Sequence, residues 1–108
     1  MRGSRLGEFE EIVLLTVAVL FDEAYGIAVK KEIEARLDRK ISVGALHTAF
    51  NRLEKKGFLQ SRLGEATASR GGKRKRYFQV TASGFGALKT VRQTRNEFWE
   101  AIPEIAFK

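Results

Sequence analysis

The feature that most constrains the fold is an apolar run at residues 12–21, broken only by Thr16. Leu6, Phe9, Val13, Val17 and Leu20 recur at the spacing of one helix face, and Ile12, Leu14, Leu15 and Val19 widen that stripe until it nearly encircles the helix. Ten residues fall well short of the roughly 18 or more that a membrane span requires. The run therefore predicts a buried helix that must be covered on more than one side. A chain of 108 residues fits one compact domain and leaves little material for that cover. A second copy of the protein is one source of it.

With 44% hydrophobic and 31% charged residues the composition is globular rather than disordered. The absence of cysteine excludes a disulfide scaffold, a thiolate metal site and a cysteine nucleophile. A secretory signal would place a basic end directly before the apolar run, whereas Glu8, Glu10 and Glu11 stand there. The expectation is a soluble, unprocessed, cytoplasmic protein with no membrane partner.

Charge is distributed unevenly. Between Arg39 and Arg76 lie eleven basic residues against two acidic ones, a net +9, while residues 1–38 carry −3 and residues 77–108 carry +1, making the overall +7. A basic segment held between an acidic beginning and a near-neutral end suits a polyanion-binding surface on a larger scaffold, with a merely solvated basic face as the plain alternative.

The element order gives that segment a shape. After the turn at residues 21–26 a second helix is expected over 27–37, with Val29, Ile33 and Leu37 as its apolar stripe and Ala28 beside it. Ser42 is placed to cap a third helix running from about Val43 to Lys56 and stopping at Gly57. Leu46, Phe50 and Leu53 form its inner face; Ala45, His47, Thr48, Asn51, Arg52 and Lys55 lie on the other. Beyond Gly57 the period shortens. Residues 58–63 and 77–80 predict a β-hairpin whose long basic tip includes residues 64–72. Thr81 can cap a last helix carrying Phe85, Leu88, Val91, Phe98, Trp99 and Ile102 and stopping near Pro103.

Three short helices followed by a hairpin is the order of a winged helix-turn-helix: mainly α, of α+β class, with a two-stranded β-wing and a C-terminal helix. A helix is slim enough for the DNA major groove, and Gly44 and Ala45 near the N-terminus of the third one allow close approach while its amides favour a phosphate. Thr48, Asn51 and Arg52 offer hydrogen bonds on or near the exposed face; Asn pairs with adenine and Arg with guanine, and both also contact phosphates. Arg52, two residues before Glu54, is divided between a phosphate contact and a structural ion pair. In the wing, Arg70, Lys73, Arg74 and Lys75 belong to the most charged stretch of the chain, and alternate strand positions send only some of them toward one DNA backbone. Its Gly-Gly-Lys order lacks the spacing of a phosphate-binding loop and precedes a strand, which disfavours nucleotide hydrolysis. His47, the only histidine, builds neither a metal site nor a triad, and is divided between a DNA contact and simple exposure. The acidic group at residues 8, 10 and 11 suits the first turn of a helix and a solvated face. No catalytic constellation, metal site or cofactor motif is found, so an enzyme is not expected.

Taken together, several stretches resemble the PadR-like winged-helix transcriptional regulators: Leu6-Gly7 before an apolar first helix, Tyr25-Gly26 opening the second, Gly44-Ala45-Leu46, the run from Arg52 to Gly57, and the run from Lys75 to Gly84 leading into the last helix. The resemblance covers nearly the whole chain and matches the small members with one C-terminal helix. It implies a winged-helix DNA-binding domain over 1–80 and a dimerisation helix over 81–108, packed with the first helix as one compact unit. It further implies a homodimer with two recognition helices in successive major grooves, and repression relieved by a small aromatic compound. The subunit interface would then include Leu6, Phe9, Val13, Leu88, Val91, Phe98, Trp99 and Ile102. The family usually has Tyr-Pro, its Tyr touching the DNA backbone, where this chain has His47-Thr48; His47 would keep a weaker, pH-sensitive version of that contact. Some members place a tryptophan of the last helix in a flat pocket for drugs, and Trp99 either lines such a pocket or packs the interface.

The expected function is a sequence-specific regulator of transcription, a repressor, binding double-stranded DNA through Ser42, Gly44, Ala45, His47, Thr48, Asn51, Arg52, Lys55, Arg70, Lys73, Arg74 and Lys75. The alternative is a winged-helix interaction module whose basic face meets RNA or an acidic protein.

Overall fold

The computed structural model describes residues 5–64 and 74–108. Its elements are α1 (Glu8–Leu20), α2 (Gly26–Leu37), α3 (Val43–Lys55), β1 (Leu59–Leu63), β2 (Arg76–Val80) and α4 (Ala82–Ala101), with single 3-10 turns at Phe21–Glu23 and Glu104–Phe107. The fold is the expected mainly helical one with a two-stranded antiparallel sheet.

Helix α1 is the centre of the packing. Its buried residues Val13, Leu14 and Val17 meet Val29 and Ile33 of α2 and Leu46, Ala49, Phe50 and Leu53 of α3 in one apolar core. Thr16 enters the apolar run at little cost because its hydroxyl donates to the Ile12 carbonyl at 2.7 Å, leaving no unpaired polar atom. The far side of α1 stays open: Leu15 is 44% and Val19 55% exposed. Val13, expected at a subunit interface, is wholly enclosed in the chain's own core. Periodicity placed it on an apolar face without distinguishing which apolar face the chain itself covers.

The ends of α3 follow local chemistry. The Ser42 hydroxyl accepts from the Ala45 amide at 3.0 Å, satisfying one of the free donors of the first turn. At the other end Gly57 takes φ +79°, the left-handed conformation that costs a glycine nothing. The chain then turns directly into β1.

The two strands pair from Leu59↔Val80 to Leu63↔Arg76. Leu59, Phe78 and Val80 point inward, and Phe78 stacks on Phe50 of α3 with ring centroids 3.9 Å apart. The segment between α1 and α2 adds a partial third strand: Tyr25 bridges Tyr77, and the Phe78 amide donates to the Ala24 carbonyl at 2.8 Å. The wing is thus fixed to the start of α2 as well as to α3.

Thr81 joins the wing to α4. Its hydroxyl accepts from the Gly84 amide and donates to the Gly57 carbonyl, and its own amide donates to Phe58 O. Here α4 runs so close to the strand that a Cβ on Gly84 would lie 2.2 Å from the Phe58 carbonyl oxygen. Past this anchor α4 leaves the body. Ala87, Leu88 and Val91 are half-buried, and every residue from Arg92 to Lys108 is exposed, Phe98 at 73% and Trp99 at 64%. The projection stretches the molecule to 61 × 31 × 22 Å. No helix among the described residues is long and apolar enough to cross a membrane.

Candidate nucleic-acid interface

With Leu46, Ala49, Phe50 and Leu53 turned inward, the geometry of a helix turns Gly44, Ala45, His47, Thr48, Asn51, Arg52 and Lys55 outward, and all seven are exposed. Thr48 stands three and four residues before Asn51 and Arg52, and Lys55 four and three residues after them, so the four polar tips form one continuous row along the helix. Ser42 is exposed at the N-terminal end of that row, its hydroxyl engaged in the cap. His47 stands beside the row with its ring edge toward Phe50, centroids 6.3 Å apart.

Arg52 forms no ion pair with Glu54. The Glu54 carboxylate instead accepts from the Ser61 hydroxyl at 2.9 Å, and that hydroxyl accepts from Arg76 at 2.9 Å. Among the described residues Arg52 has no salt-bridge partner, which leaves its guanidinium available on the outer face.

The wing's base carries the other cations. Arg74 donates from Nε to the Gly64 carbonyl at 2.8 Å, prolonging the strand pair with its side chain. Lys75 holds its ammonium 3.8 Å from the centre of the Tyr25 ring, and Arg62 lies 4.9 Å from that of Tyr77. Tyr25, Ile27, His47, Asn51, Lys75 and Arg76 share a cleft of about 480 Å³ between the start of α2, α3 and β2. The cleft joins the exposed polar row of α3 to the wing, so His47, Asn51 and Lys75 are brought together as one surface. Arg70 and Lys73 lie outside the described residues.

Two internal pairs that sequence reading did not identify hold this surface in place. Glu10, expected on a solvated acidic face, is buried and accepts from Lys56 at 2.6 Å and from the Gly7 amide at 2.9 Å. Burial alone would raise its pKa, but the Gly7 amide and the nearby Lys56 and Arg52 charges outweigh it and hold the carboxyl below its ordinary 4.5. Lys56 also donates to the Arg5 carbonyl; it ties α3 to α1 rather than adding to the basic face. Glu34 accepts from the Ile41 amide at 2.9 Å and from Lys30 at 3.1 Å, which lowers its pKa and closes the turn between α2 and α3. The partners lie 46 residues apart in the first pair and seven apart in the loop contact of the second. Only Lys30–Glu34, at a helical spacing, leaves a trace in the sequence.

The residues expected at a subunit interface divide by position. Leu6, Phe9, Leu88 and Val91 are half-buried where α1 and α4 meet, Phe98, Trp99 and Ile102 are exposed on the projecting helix, and Val13 is interior. Leu6, Phe58, Ala87, Val91 and Phe98 line a groove of about 1090 Å³ along α4. Trp99 lies on the adjoining face. Arg95 reaches Glu11 of α1 at 3.1 Å and steadies the helix as it leaves the body.

A model of the transcriptional regulator PadR-like family matches residues 14–90, from the core of α1 through the wing and into α4. The chain belongs to the PadR-like family of transcriptional regulators. Solved PadR-like and related regulators share its fold. A PadR family regulator from Eggerthella lenta is 27% identical, covers 82% of this chain and 74% of its own length, and superposes with a TM-score of 0.63. A transcriptional regulator from Clostridium thermocellum is 26% identical with a TM-score of 0.64, over 88% of this chain and 91% of that one. A PadR-like transcription factor from Bacteroides fragilis reaches a TM-score of 0.70 at 22% identity, over 85% and 84%. Among curated proteins there is no significant match. Membership in PadR-like regulators makes the chain a regulator of transcription and not an enzyme.

Proposed function

We propose that this regulator is a homodimeric, sequence-specific repressor that binds double-stranded DNA with α3 in the major groove and the wing on the flanking backbone. The observation that carries the reading is the exposed row Thr48, Asn51, Arg52 and Lys55 on a helix whose opposite face is fully committed to the core. Asn51 and Thr48 select bases. Arg52, Lys55, His47 and the wing cations Arg70, Lys73, Arg74 and Lys75 supply the phosphate contacts, while the Ser42 cap and the small Gly44 and Ala45 let the helix end approach. Residues 1–80 are the DNA-binding unit and residues 81–108 the dimerisation helix.

Dimerisation is supported by apolar surface the single chain leaves uncovered: Leu15 and Val19 on α1, and Phe98, Trp99, Ile102, Ile105 and Phe107 at the end of α4. In this assignment Leu6, Phe9, Leu88 and Val91 flank the interface, and Trp99 packs within it. Relief by a small aromatic compound would act there, through a ring that stacks on Trp99.

The test is binding to duplex from upstream of the protein's own gene, compared with random duplex, as salt rises from about 50 to 200 mM. Selective binding that weakens steeply is expected. Equal affinity for both duplexes, or no dependence on salt, would contradict it. Preference for RNA over duplex would favour an interaction module instead.

A further inference from the structure

Three consecutive cations, Arg74, Lys75 and Arg76, stand at the base of the wing, and they are held in different ways. Arg74 donates to the Gly64 carbonyl and Arg76 to the Ser61 hydroxyl, so both are engaged in hydrogen bonds within the hairpin. Among the described residues the Lys75 ammonium has no hydrogen-bond or salt-bridge partner. Its neighbour is the Tyr25 ring, whose centre lies 3.8 Å away. A solvated lysine samples many rotamers, and an anion that binds it must first restrict them. Lys75 is instead half-buried against a ring, with that restriction already made.

The Tyr25 ring is itself fixed. Its backbone bridges that of Tyr77, and the two rings meet edge to face with centroids 5.6 Å apart. Tyr77 in turn lies so close over Gly64 that a Cβ there would stand 2.7 Å from its ring, and the Gly64 amide donates to the Lys75 carbonyl at 2.7 Å. The backbone of Lys75 and the platform beneath its ammonium are therefore set by the same corner. A ring covers only one side of an ammonium that carries three donors, which leaves others for an anion. The second contact of this kind, Arg62 over Tyr77, faces elsewhere: it lines a cavity of about 200 Å³ with Phe21 and Asp22 and no residue of α3. Tyr25 and Lys75 share the 480 Å³ cleft with His47 and Asn51.

We infer that Tyr25 is a positioning residue for DNA binding, its ring face holding the Lys75 ammonium in the cleft beside Asn51, ready for a backbone phosphate. The inference rests on the DNA-binding reading above and adds to it a residue at the start of α2 that acts through Lys75. Because the ammonium is placed before the duplex arrives, less ordering remains to oppose binding.

Duplex titrations of the full-length protein at low salt test this, with folding checked by circular dichroism and Tm. Tyr25→Phe keeps the ring and should bind within about twofold of the parent. Tyr25→Leu should bind all duplexes about fivefold more weakly, and the loss should vanish in a Lys75→Ala background, where there is no ammonium to hold. Where Tyr25→Leu does not fold, phenylalanines of rising fluorine content at position 25 keep the shape and drain the negative face of the ring. Affinity should then fall step by step with Lys75 present and stay level with Ala in its place. Losses equal in the two backgrounds, or an affinity indifferent to fluorination, would overturn the role of Tyr25 while leaving DNA binding intact. A parent chain with no affinity for duplex would overturn the DNA-binding reading, and the role of Tyr25 with it.

Discussion

Glu10 joins fold and function at the level of single residues. It closes the start of α1 on Gly7 and holds Lys56 at the end of α3, so one carboxylate ties the central helix to the helix that carries the exposed polar row. Its pKa is lowered in the folded state. The stability it contributes is therefore present above the unfolded glutamate value and is lost as pH falls through the lower folded one. Glu10→Gln should cost about 1–3 kcal/mol at neutral pH, the cost of leaving a largely covered ammonium without its partner. The variant should also show a flatter decline of stability in acid, measurable by urea denaturation at several pH values. A variant as stable as the parent at pH 7 would mean that the pair is solvated. On the outer face, Arg52→Ala and Lys55→Ala should each weaken binding to all duplexes alike and reduce the salt slope by about one, whereas Asn51→Ala should change base preference at one position in each half-site. Binding titrations against a set of single-base operator variants separate the two outcomes.

At the level of elements, the hinge between the wing and α4 decides where the projecting helix points. Thr81, Gly57, Phe58 and Gly84 share three backbone and hydroxyl hydrogen bonds in that corner. A methyl group on Gly84 would meet a carbonyl oxygen rather than a yielding side chain. Gly84→Ala should therefore destabilise the fold by roughly 2–4 kcal/mol or swing α4 away from β1, seen as a lower Tm together with weaker self-association. An unchanged Tm would show that the corner has room. The sequence made this corner legible in part. Thr81 followed by Gly84 signals a helix start, and the capping roles of Ser42, Gly57 and Thr81 are local chemistry readable within four residues. The Tyr25–Tyr77 bridge and the Glu10–Lys56 pair are not local; no periodicity encodes which distant partner an isolated polar or aromatic residue will meet. Apolar stripes likewise marked Val13 as buried without showing that its cover comes from the same chain, while Leu15 and Val19, read as part of the same stripe, remain open.

For the whole molecule, separate faces carry separate tasks. The basic row of α3 and the base of the wing form one surface, and the apolar and charged faces of α4 extend away from the body. The overall +7 resolves into a basic surface on α3 and the wing, an acidic first segment partly neutralised by Lys56 and Arg95, and a near-neutral last helix. In the homodimer proposed above the basic surface is doubled, and two copies of α3 would face one duplex. The most direct test of this account is a footprint of the full-length protein on the DNA upstream of its own gene. The account predicts protection over two inverted half-sites about one helical turn apart, lost when Asn51 and Arg52 are replaced together by Ala. Protection of a single site by a monomer, or a footprint that survives the double replacement, would contradict it.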